Sequence, residues 1–261
     1  MPAVTDVLLP ASPDEAVAAF GDGSGVTVIG GGTIVMPDIT AGRIRPARTL
    51  LLARAGLAGI THEGSTVTLG AMAPLQGLVD LPAPVGPCAG NVADLEIRLQ
   101  ATVGGNLCSG EGAEAPRGDL QGPLLAVGAQ IRSAGSGGIT TEPLEDFLGH
   151  RRGRLVLDLT YEEPAAGAFA AVDRPHTHAY TTLAVSAART SDGTIRLAAT
   201  GAGWWGIRLP SAEAAAADPA AAGAAALKDV KLHDDALASA WYREQALPVL
   251  VRRALARLEE S

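Results

Sequence analysis

The sequence has few aromatic residues, few cysteines and no excess of positive charge. Aromatic residues make up 3% of the 261 positions and hydrophobic residues 47%, so a core must be built mainly from Ala, Val, Leu and Ile. The net charge of −8 argues against binding to a phosphate backbone, and we expect no nucleic-acid partner. Two cysteines, Cys88 and Cys108, are too few for an all-cysteine iron–sulfur or zinc site, and we expect Cys108 to be a small buried residue.

The sequence also lacks the features of a membrane or secreted protein. No uncharged apolar run reaches the roughly 18 residues that a transmembrane helix needs. The opening Met-Pro-Ala-Val-Thr-Asp has neither the basic start nor the apolar stretch of a signal peptide. We therefore expect a cytoplasmic protein, and the alanine-rich composition with more Arg than Lys is typical of a GC-rich bacterial genome.

Two glycine motifs are the most informative features that the sequence does have. They are Val28-Ile29-Gly30-Gly31-Gly32-Thr33 and Ala101-Thr102-Val103-Gly104-Gly105-Asn106-Leu107. Each pattern is typical of a strand that ends in a tight loop with its amide N–H groups turned outward, where they can hold an anion. Neither motif has the spacing of the Rossmann or P-loop signatures. We predict that the two loops grip the two phosphates of one dinucleotide from opposite sides.

The surrounding pattern predicts a chain of mixed helices and strands. Residues 4–9 and 26–29 are expected to be strands, the second buried on both faces, with a helix between them that starts at the N-cap Ser12. Residues 72–79 are expected to form a helix, followed by a proline-containing loop. Further on, residues 180–188 and 194–200 predict a hairpin. The last helix should span residues 236–258, and Pro248 should kink or divide it.

The order of these signals resembles the FAD-binding medium subunit of molybdenum hydroxylases of the carbon monoxide dehydrogenase and xanthine dehydrogenase type. The resemblance is carried by both glycine motifs and by several shorter matches. These are Met36-Pro37, Leu69-Gly70-Ala71, Ile97-Arg98, Asp119-Leu120, Leu124-Leu125-Ala126, Asp146-Phe147, Ala238-Ser239-Ala240-Trp241-Tyr242-Arg243 and Leu250-Val251-Arg252-Arg253-Ala254-Leu255.

The resemblance implies an α+β fold with FAD as the cofactor. A PCMH-type FAD-binding domain would span residues 1–163, with subdomains of about 1–52 and 53–163, and a smaller C-terminal α+β domain of antiparallel strands and helices would span residues 168–261. The implied partners are an iron–sulfur subunit and a molybdenum-cofactor subunit, in a heterotrimeric complex or a dimer of such complexes. The implied role is electron transfer from the iron–sulfur partner to an external acceptor.

The resemblance also assigns the cofactor-binding residues. The two glycine motifs and their neighbours would hold the pyrophosphate and the adjoining ribityl chain: Val28, Ile29, Gly30, Gly31, Gly32, Thr33, Ile34, Ala101, Thr102, Gly104, Gly105 and Asn106. Asp119 would match the family's acidic residue at the flavin site, and Leu155 and Val156 would match the strand edge near the ring. No catalytic residue and no metal ligand is predicted.

Some positions depart from the family pattern and leave two alternatives open. The family usually has Asp, Glu or Ser where this chain has Ile34, and it often has a basic residue where this chain has Ala170. The segment 108–117 is longer than usual and carries Glu111 and Glu114. The alternatives are a stand-alone flavin-dependent oxidoreductase on the same fold and a flavin-free scaffold or binding protein.

Three further features have competing interpretations. His176 and His178 would share one face of a strand but lack a third ligand at a recognisable spacing, so we expect them to be structural or solvated. Trp204-Trp205 is expected to pack or to form a partner surface, although a flavin-stacking platform is conceivable. Arg151-Arg152-Gly153-Arg154 predicts either a solvated loop or a docking point for an acidic partner.

Overall fold

The chain starts with the predicted unit of strand, helix and strand. In the computed structural model, which describes residues 6–110, 118–172, 174–176 and 179–261, these elements are β1 (Asp6–Leu8), α1 (Pro13–Phe20), β2 (Val26–Ile29) and, further on, β3 (Arg48–Leu51). The Ser12 hydroxyl accepts a hydrogen bond from the Glu15 backbone N–H at 3.1 Å, so the predicted N-cap of α1 is confirmed.

The three strands form a parallel sheet in the order β1-β3-β2. The prediction that residues 26–29 are buried on both faces is wrong, because β2 lies at the edge of the sheet and only Ile29 is buried. The short helix α2 (Val35–Thr40) follows β2 after the first glycine motif.

A second sheet of five strands has the order β4-β5-β8-β6-β7. Its strands are β4 (Ile60–Glu63), β5 (Thr66–Gly70), β6 (Gln130–Gly135), β7 (Gly138–Pro143) and β8 (Leu155–Glu162). The pairs β4–β5, β6–β7 and β6–β8 are antiparallel, with a register shift between Arg132 and Ser133 on β6. Helix α7 (Leu144–His150) connects β7 to β8.

Short helices account for most of the chain between β5 and β6. Only Leu75–Leu78 forms a helical turn, of the 3-10 type, where a helix over 72–79 was predicted. Of the three prolines predicted to lie in the loop beyond it, Pro82 and Pro84 do so, whereas Pro87 lies inside α3 (Val85–Asn91). The remaining helices here are α4 (Leu95–Gln100), α5 (Val103–Leu107) and α6 (Gln121–Ala126).

The chain divides into two compact units. The first comprises Met1–Gly77, Leu95–Gly105 and Gln130–Thr160, and the second comprises Leu78–Asp94, Asn106–Ala129 and Tyr161–Ser261. The first unit has a core in which α1 and β3 pack with residues from β6 and β8. Its buried members are Ala16, Phe20, Leu50, Leu52, Ala55, Leu57, Ala134, Leu155 and Leu157.

The second unit is built on a four-stranded antiparallel sheet in the order β12-β11-β10-β9. Its elements are β9 (Ala166–Ala171), β10 (Ala184–Arg189), β11 (Ile195–Thr200), β12 (Ile207–Arg208), α8 (Pro210–Ala214), α9 (Pro219–Ala226) and α10 (Ala240–Glu260). The predicted hairpin of β10 and β11 is confirmed, and α9 and α10 share the core of this sheet.

The last helix is not divided at Pro248, since α10 is continuous from Ala240 to Glu260, and a kink there stays a prediction. Helix α9 packs closely there: a Cβ on Gly223 would lie 2.7 Å from the Pro248 carbonyl oxygen. Among the described residues, no helix is both long and apolar enough to span a bilayer.

Candidate functional site

The first glycine motif forms a loop after a strand, as predicted, and its three glycines are needed for different reasons. A Cβ on Gly30 would lie 2.7 Å from Thr102 Oγ1, and a Cβ on Gly31 would lie 1.7 Å from the carbonyl oxygen of Gln100. Gly32 has φ of +74°, a left-handed conformation that favours glycine. Gly30 and Gly31 are therefore required for space, and Gly32 for its backbone conformation.

The second glycine motif does not have the predicted conformation. It follows α4 rather than a strand, and Gly104 and Gly105 lie inside the one-turn helix α5. The motif is instead held by the segment that follows β5. The Val103 N–H donates to the Ala73 carbonyl at 3.0 Å, and the Gly104 N–H donates to the Ala71 carbonyl at 2.8 Å.

The structure brings the two glycine motifs together. A Cβ on Gly30 would meet Thr102, and a Cβ on Gly31 would lie 3.1 Å from Ala101 Cα, so neither glycine can carry a side chain without movement of its neighbours. Both motifs belong to the first unit up to Gly105. Two segments that are far apart in the sequence therefore lie against each other.

The backbone of this site has unused hydrogen-bond donors. Within residues 6–110 and the other described segments, the N–H groups of Gly31, Gly32 and Thr33 have no acceptor. Successive amides around a residue with positive φ form a concave group of donors that suits an anion. The N-cap of α2, Ile34, contributes no side-chain hydrogen bond, so recognition at this corner depends on the main chain.

A hydroxyl group lies at the contact between the motifs. Thr102 is 4% exposed and its Oγ1 accepts a hydrogen bond from the Gly105 N–H at 3.3 Å. Gly105 itself is exposed. The glycines let the backbone approach an anion closely, and the free amides and this hydroxyl are neutral donors, so the residues present suit the predicted pyrophosphate.

Leu155 and Val156 lie at the start of β8, which is the central strand of the five-stranded sheet rather than an edge strand. Their side chains are 2% and 4% exposed, and Leu155 belongs to the core of the first unit. A contact of these residues with a flavin ring remains a prediction.

Asn106 and Asp119 meet in the second unit. The carboxylate of Asp119 accepts side-chain hydrogen bonds from Thr181 and Asn106, with the charge of Arg174 nearby. Burial raises the pKa of Asp119 to about 6, and these hydrogen bonds and Arg174 oppose that rise. The Thr200 hydroxyl also donates to the Asp119 backbone carbonyl, at 3.3 Å.

Three residues of this network carry no signal in the sequence. Asn91, Thr181 and Arg174 are single polar residues in segments without a motif, and only the fold brings them near Asp119. Cys88 was named but not placed here: it is buried, and its thiol donates to the Asp119 backbone carbonyl at 3.3 Å. The prediction that Cys108 is buried is wrong, because its side chain is exposed.

The competing metal interpretation gains no support. His176 is exposed and lies outside any strand, whereas His178 lies outside the described residues, as do Glu111 and Glu114. Among the described residues, no group of three or more His, Cys, Asp or Glu side chains could hold a metal ion.

The arginine cluster is not an exposed basic patch. Arg151 is 5% exposed and its Nη1 donates to the Leu148 carbonyl at 2.6 Å. Arg154 donates to the Ser133 hydroxyl at 2.8 Å and also to Thr140. Two of the three guanidinium groups are thus used inside the first unit, which disfavours the docking interpretation.

Trp204 lies in the second unit and is 52% exposed. It stacks on His233 with ring centroids 4.2 Å apart. One of its two ring faces is therefore already covered by a residue of this chain, which agrees better with packing than with a flavin platform.

Comparison with known proteins identifies the family. The sequence model described as the FAD binding domain in molybdopterin dehydrogenase matches residues 3–159. The chain belongs to this family. The predicted resemblance, the α+β fold class and FAD as the family's cofactor are thereby confirmed.

The relatives of this FAD-binding domain family agree with the assignment. The carbon monoxide dehydrogenase medium chain of Hydrogenophaga pseudoflava is 31% identical over 147 residues, covering 53% of this chain and 50% of that protein. The chain thus matches about half the length of this relative. The protein is thus homologous to an oxidoreductase flavoprotein subunit, the carbon monoxide dehydrogenase medium chain.

Solved structures extend the similarity to the whole chain. A carbon monoxide dehydrogenase structure from Hydrogenophaga pseudoflava has a TM-score of 0.85 and 26% identity, covering 100% of this chain and 99% of that one. Quinoline 2-oxidoreductase from Pseudomonas putida 86 has a TM-score of 0.83 and 18% identity, covering 98% and 96%. Because the identity to quinoline 2-oxidoreductase is only 18%, that similarity shows the fold alone.

Proposed function

We propose that this protein is the FAD-binding electron-transfer subunit of a molybdenum-containing hydroxylase or dehydrogenase complex. The observation that carries the proposal is the meeting of the two glycine motifs, with three unused amides beside them. FAD, when bound, supplies the redox chemistry by accepting and releasing electrons. The chain's own residues bind and orient it.

In this proposal the binding roles follow the geometry of each region. The residues from Val28 to Ile34 and from Ala101 to Asn106 bind the pyrophosphate and the adjoining ribityl chain through backbone donors and the Thr102 hydroxyl. Asp119 presents a fixed carboxylate to the flavin, and the backbone at Leu155 and Val156 lies near the ring. We propose domain limits of 1–163 and 168–261.

The partners and the location are part of the same proposal. This chain would receive electrons from an iron–sulfur subunit, whose source would be a molybdenum-cofactor subunit that oxidises the organic substrate, and would hold the FAD from which an external acceptor takes them. The division of labour agrees with two cysteines, which are too few for a cluster in this chain. We retain the cytoplasm as the expected location.

The first test is reconstitution. We expect the purified protein, incubated with FAD and freed of excess, to keep one flavin per chain and to show the visible absorption of an oxidised flavoprotein. A protein that stays colourless at saturating FAD, while remaining folded by circular dichroism, would contradict the proposal and favour the flavin-free scaffold.

The second test separates a subunit from a stand-alone enzyme. We expect a tagged copy expressed in the native host to co-purify with an iron–sulfur protein and a molybdenum protein in equal amounts. A yellow homo-oligomer without partners, able to oxidise a small molecule by itself, would favour the stand-alone flavoenzyme.

A further inference from the structure

The side chains that hold Asp119 have defined hydrogen-bond directions. Asn91 Nδ2 donates to Thr181 Oγ1 at 3.1 Å. A threonine hydroxyl has a single proton to donate, and an oxygen that already accepts a hydrogen bond turns that proton toward its other partner. The Thr181 proton therefore points at the carboxylate of Asp119.

Asn106 is oriented by a backbone amide in the same way. The Leu120 N–H donates to Asn106 Oδ1 at 2.9 Å, so the amide oxygen is already used. The NH2 group of Asn106 is then the end that faces Asp119. The carboxylate thus receives two neutral donors whose directions are both set by other residues.

Two further ionisable groups face this carboxylate. Arg174 lies close enough to attract it, while its guanidinium donates to the carbonyls of Ala93 and Ala179, each at 3.1 Å. The Cys88 thiol is buried beside it, and burial raises the pKa of that thiol, so it stays neutral. Neither group fixes the orientation of the carboxylate as the hydroxyl and the amide do.

We propose that Asn91 and Thr181 are positioning residues that together fix the orientation of the Asp119 carboxylate at the flavin site. Thr181 contacts the carboxylate, and Asn91 acts through Thr181. Only the location of Asp119 at the flavin site rests on the proposed function, because the hydrogen bonds are made within the chain itself.

The test is the pKa of Asp119 in the protein without FAD. Carboxyl ¹³C resonances of labelled aspartate are followed against pH, and Asp119 is assigned by the signal missing from Asp119→Asn. In Thr181→Val the charged form loses a donor, so we expect the pKa of Asp119 to rise from about 6 to about 7. Thr181→Ser should restore it, and Asn91→Ala should raise it less than Thr181→Val.

Thr200 provides a matched control. Thr181 and Thr200 are each 6% exposed, but the Thr200 hydroxyl contacts the backbone carbonyl of Asp119 and the Gly122 N–H rather than the carboxylate. Thr200→Val should therefore leave the pKa of Asp119 unchanged. An equal rise in both variants, or no rise in Thr181→Val, would overturn the inference.

The proposed role of Asp119 toward the flavin is tested by the pH dependence of FAD binding. If Asp119 faces the flavin, the pH at which the FAD dissociation constant changes should move upward in Thr181→Val together with the pKa of Asp119. A pKa that moves while the FAD-binding profile does not would overturn the flavin role. A wild-type protein that binds no FAD would end the proposed function, yet the carboxyl titration would still decide the hydrogen-bond inference.

Discussion

The two candidate regions differ in whether backbone groups or side chains form them. The glycine corners of the first unit are made of backbone: Gly31 passes against the Gln100 carbonyl, and three amides remain unused. The Asp119 region of the second unit is made of side chains, with Asn91, Thr181 and Asn106 around one carboxylate.

This difference determines what each region responds to. A backbone corner has no group that titrates near neutral pH, but it cannot accept added volume. A carboxylate with a raised pKa responds to pH, while an isosteric neutral replacement changes its volume little. Substitutions in the two regions should therefore differ in how their effects on stability and FAD binding depend on pH.

The largest effect should come from adding one methyl group at the tightest contact. Gly31→Ala places a Cβ 1.7 Å from the Gln100 carbonyl oxygen, which belongs to the backbone and has no flexible side chain that could move away, so the corner must open. We expect a loss of about 3 kcal/mol in the free energy of unfolding and loss of measurable FAD binding. Urea denaturation and flavin fluorescence titration measure the two quantities.

Gly59→Ala is the control for this change. It lies in the same unit, and a Cβ there meets nothing within 4 Å. We expect wild-type stability and FAD affinity in this variant. If Gly31→Ala had the same stability and FAD affinity as Gly59→Ala at every pH, the two motifs would not be packed against each other as they are in the structure.

A pH-dependent effect of at most the same size on the free energy of unfolding should follow from Asp119→Asn. The pKa of Asp119 is about 6 in the folded chain against an ordinary 3.8, so the folded state binds the proton more tightly than the unfolded one. The free energy of unfolding therefore falls as pH rises from about 4 to about 6, by up to about 3 kcal/mol from this group. Asp119→Asn should lack that fall.

The measurement is the difference in unfolding free energy between wild type and Asp119→Asn, taken across this pH range so that other carboxylates cancel. The variant should gain stability relative to wild type as pH rises. A difference that is constant with pH would mean that Asp119 titrates normally, and the contrast between a backbone region and a titrating region would fail.

The same contrast explains how much the sequence could reveal. Glycines that are needed for space or for positive φ leave a visible pattern, and so the first motif was located correctly after β2. Ser12 and Pro13 likewise marked the start of α1 because a helix cap is local.

Interactions between distant segments left no such pattern. Thr181 and Asn91 are ordinary polar residues in the sequence, and their pairing depends on the fold that brings them together. The helical state of Gly104 and Gly105 was missed for the same reason, since tertiary hydrogen bonds that this segment donates to the carbonyls of Ala71 and Ala73 hold it despite its low helix propensity. The family resemblance supplied what local patterns could not, namely Asp119 as a candidate residue of the flavin site.

The smallest change distinguishes a corner that binds a ligand from one that only packs. In Gly105→Ala the new Cβ lies 3.0 Å from Thr102 Oγ1 and near no other atom within 4 Å, on an exposed residue inside α5. Alanine favours a helix over glycine by about 1 kcal/mol, which offsets the close contact, so we expect the unfolding free energy to stay within about 0.5 kcal/mol of wild type.

If backbone at this corner approaches the pyrophosphate, the methyl group should still weaken FAD binding by about tenfold, measured by fluorescence titration. Unchanged affinity with unchanged stability would confine the phosphate contact to the first motif, because a surface that tolerates a methyl group on Gly105 is not in contact with the cofactor.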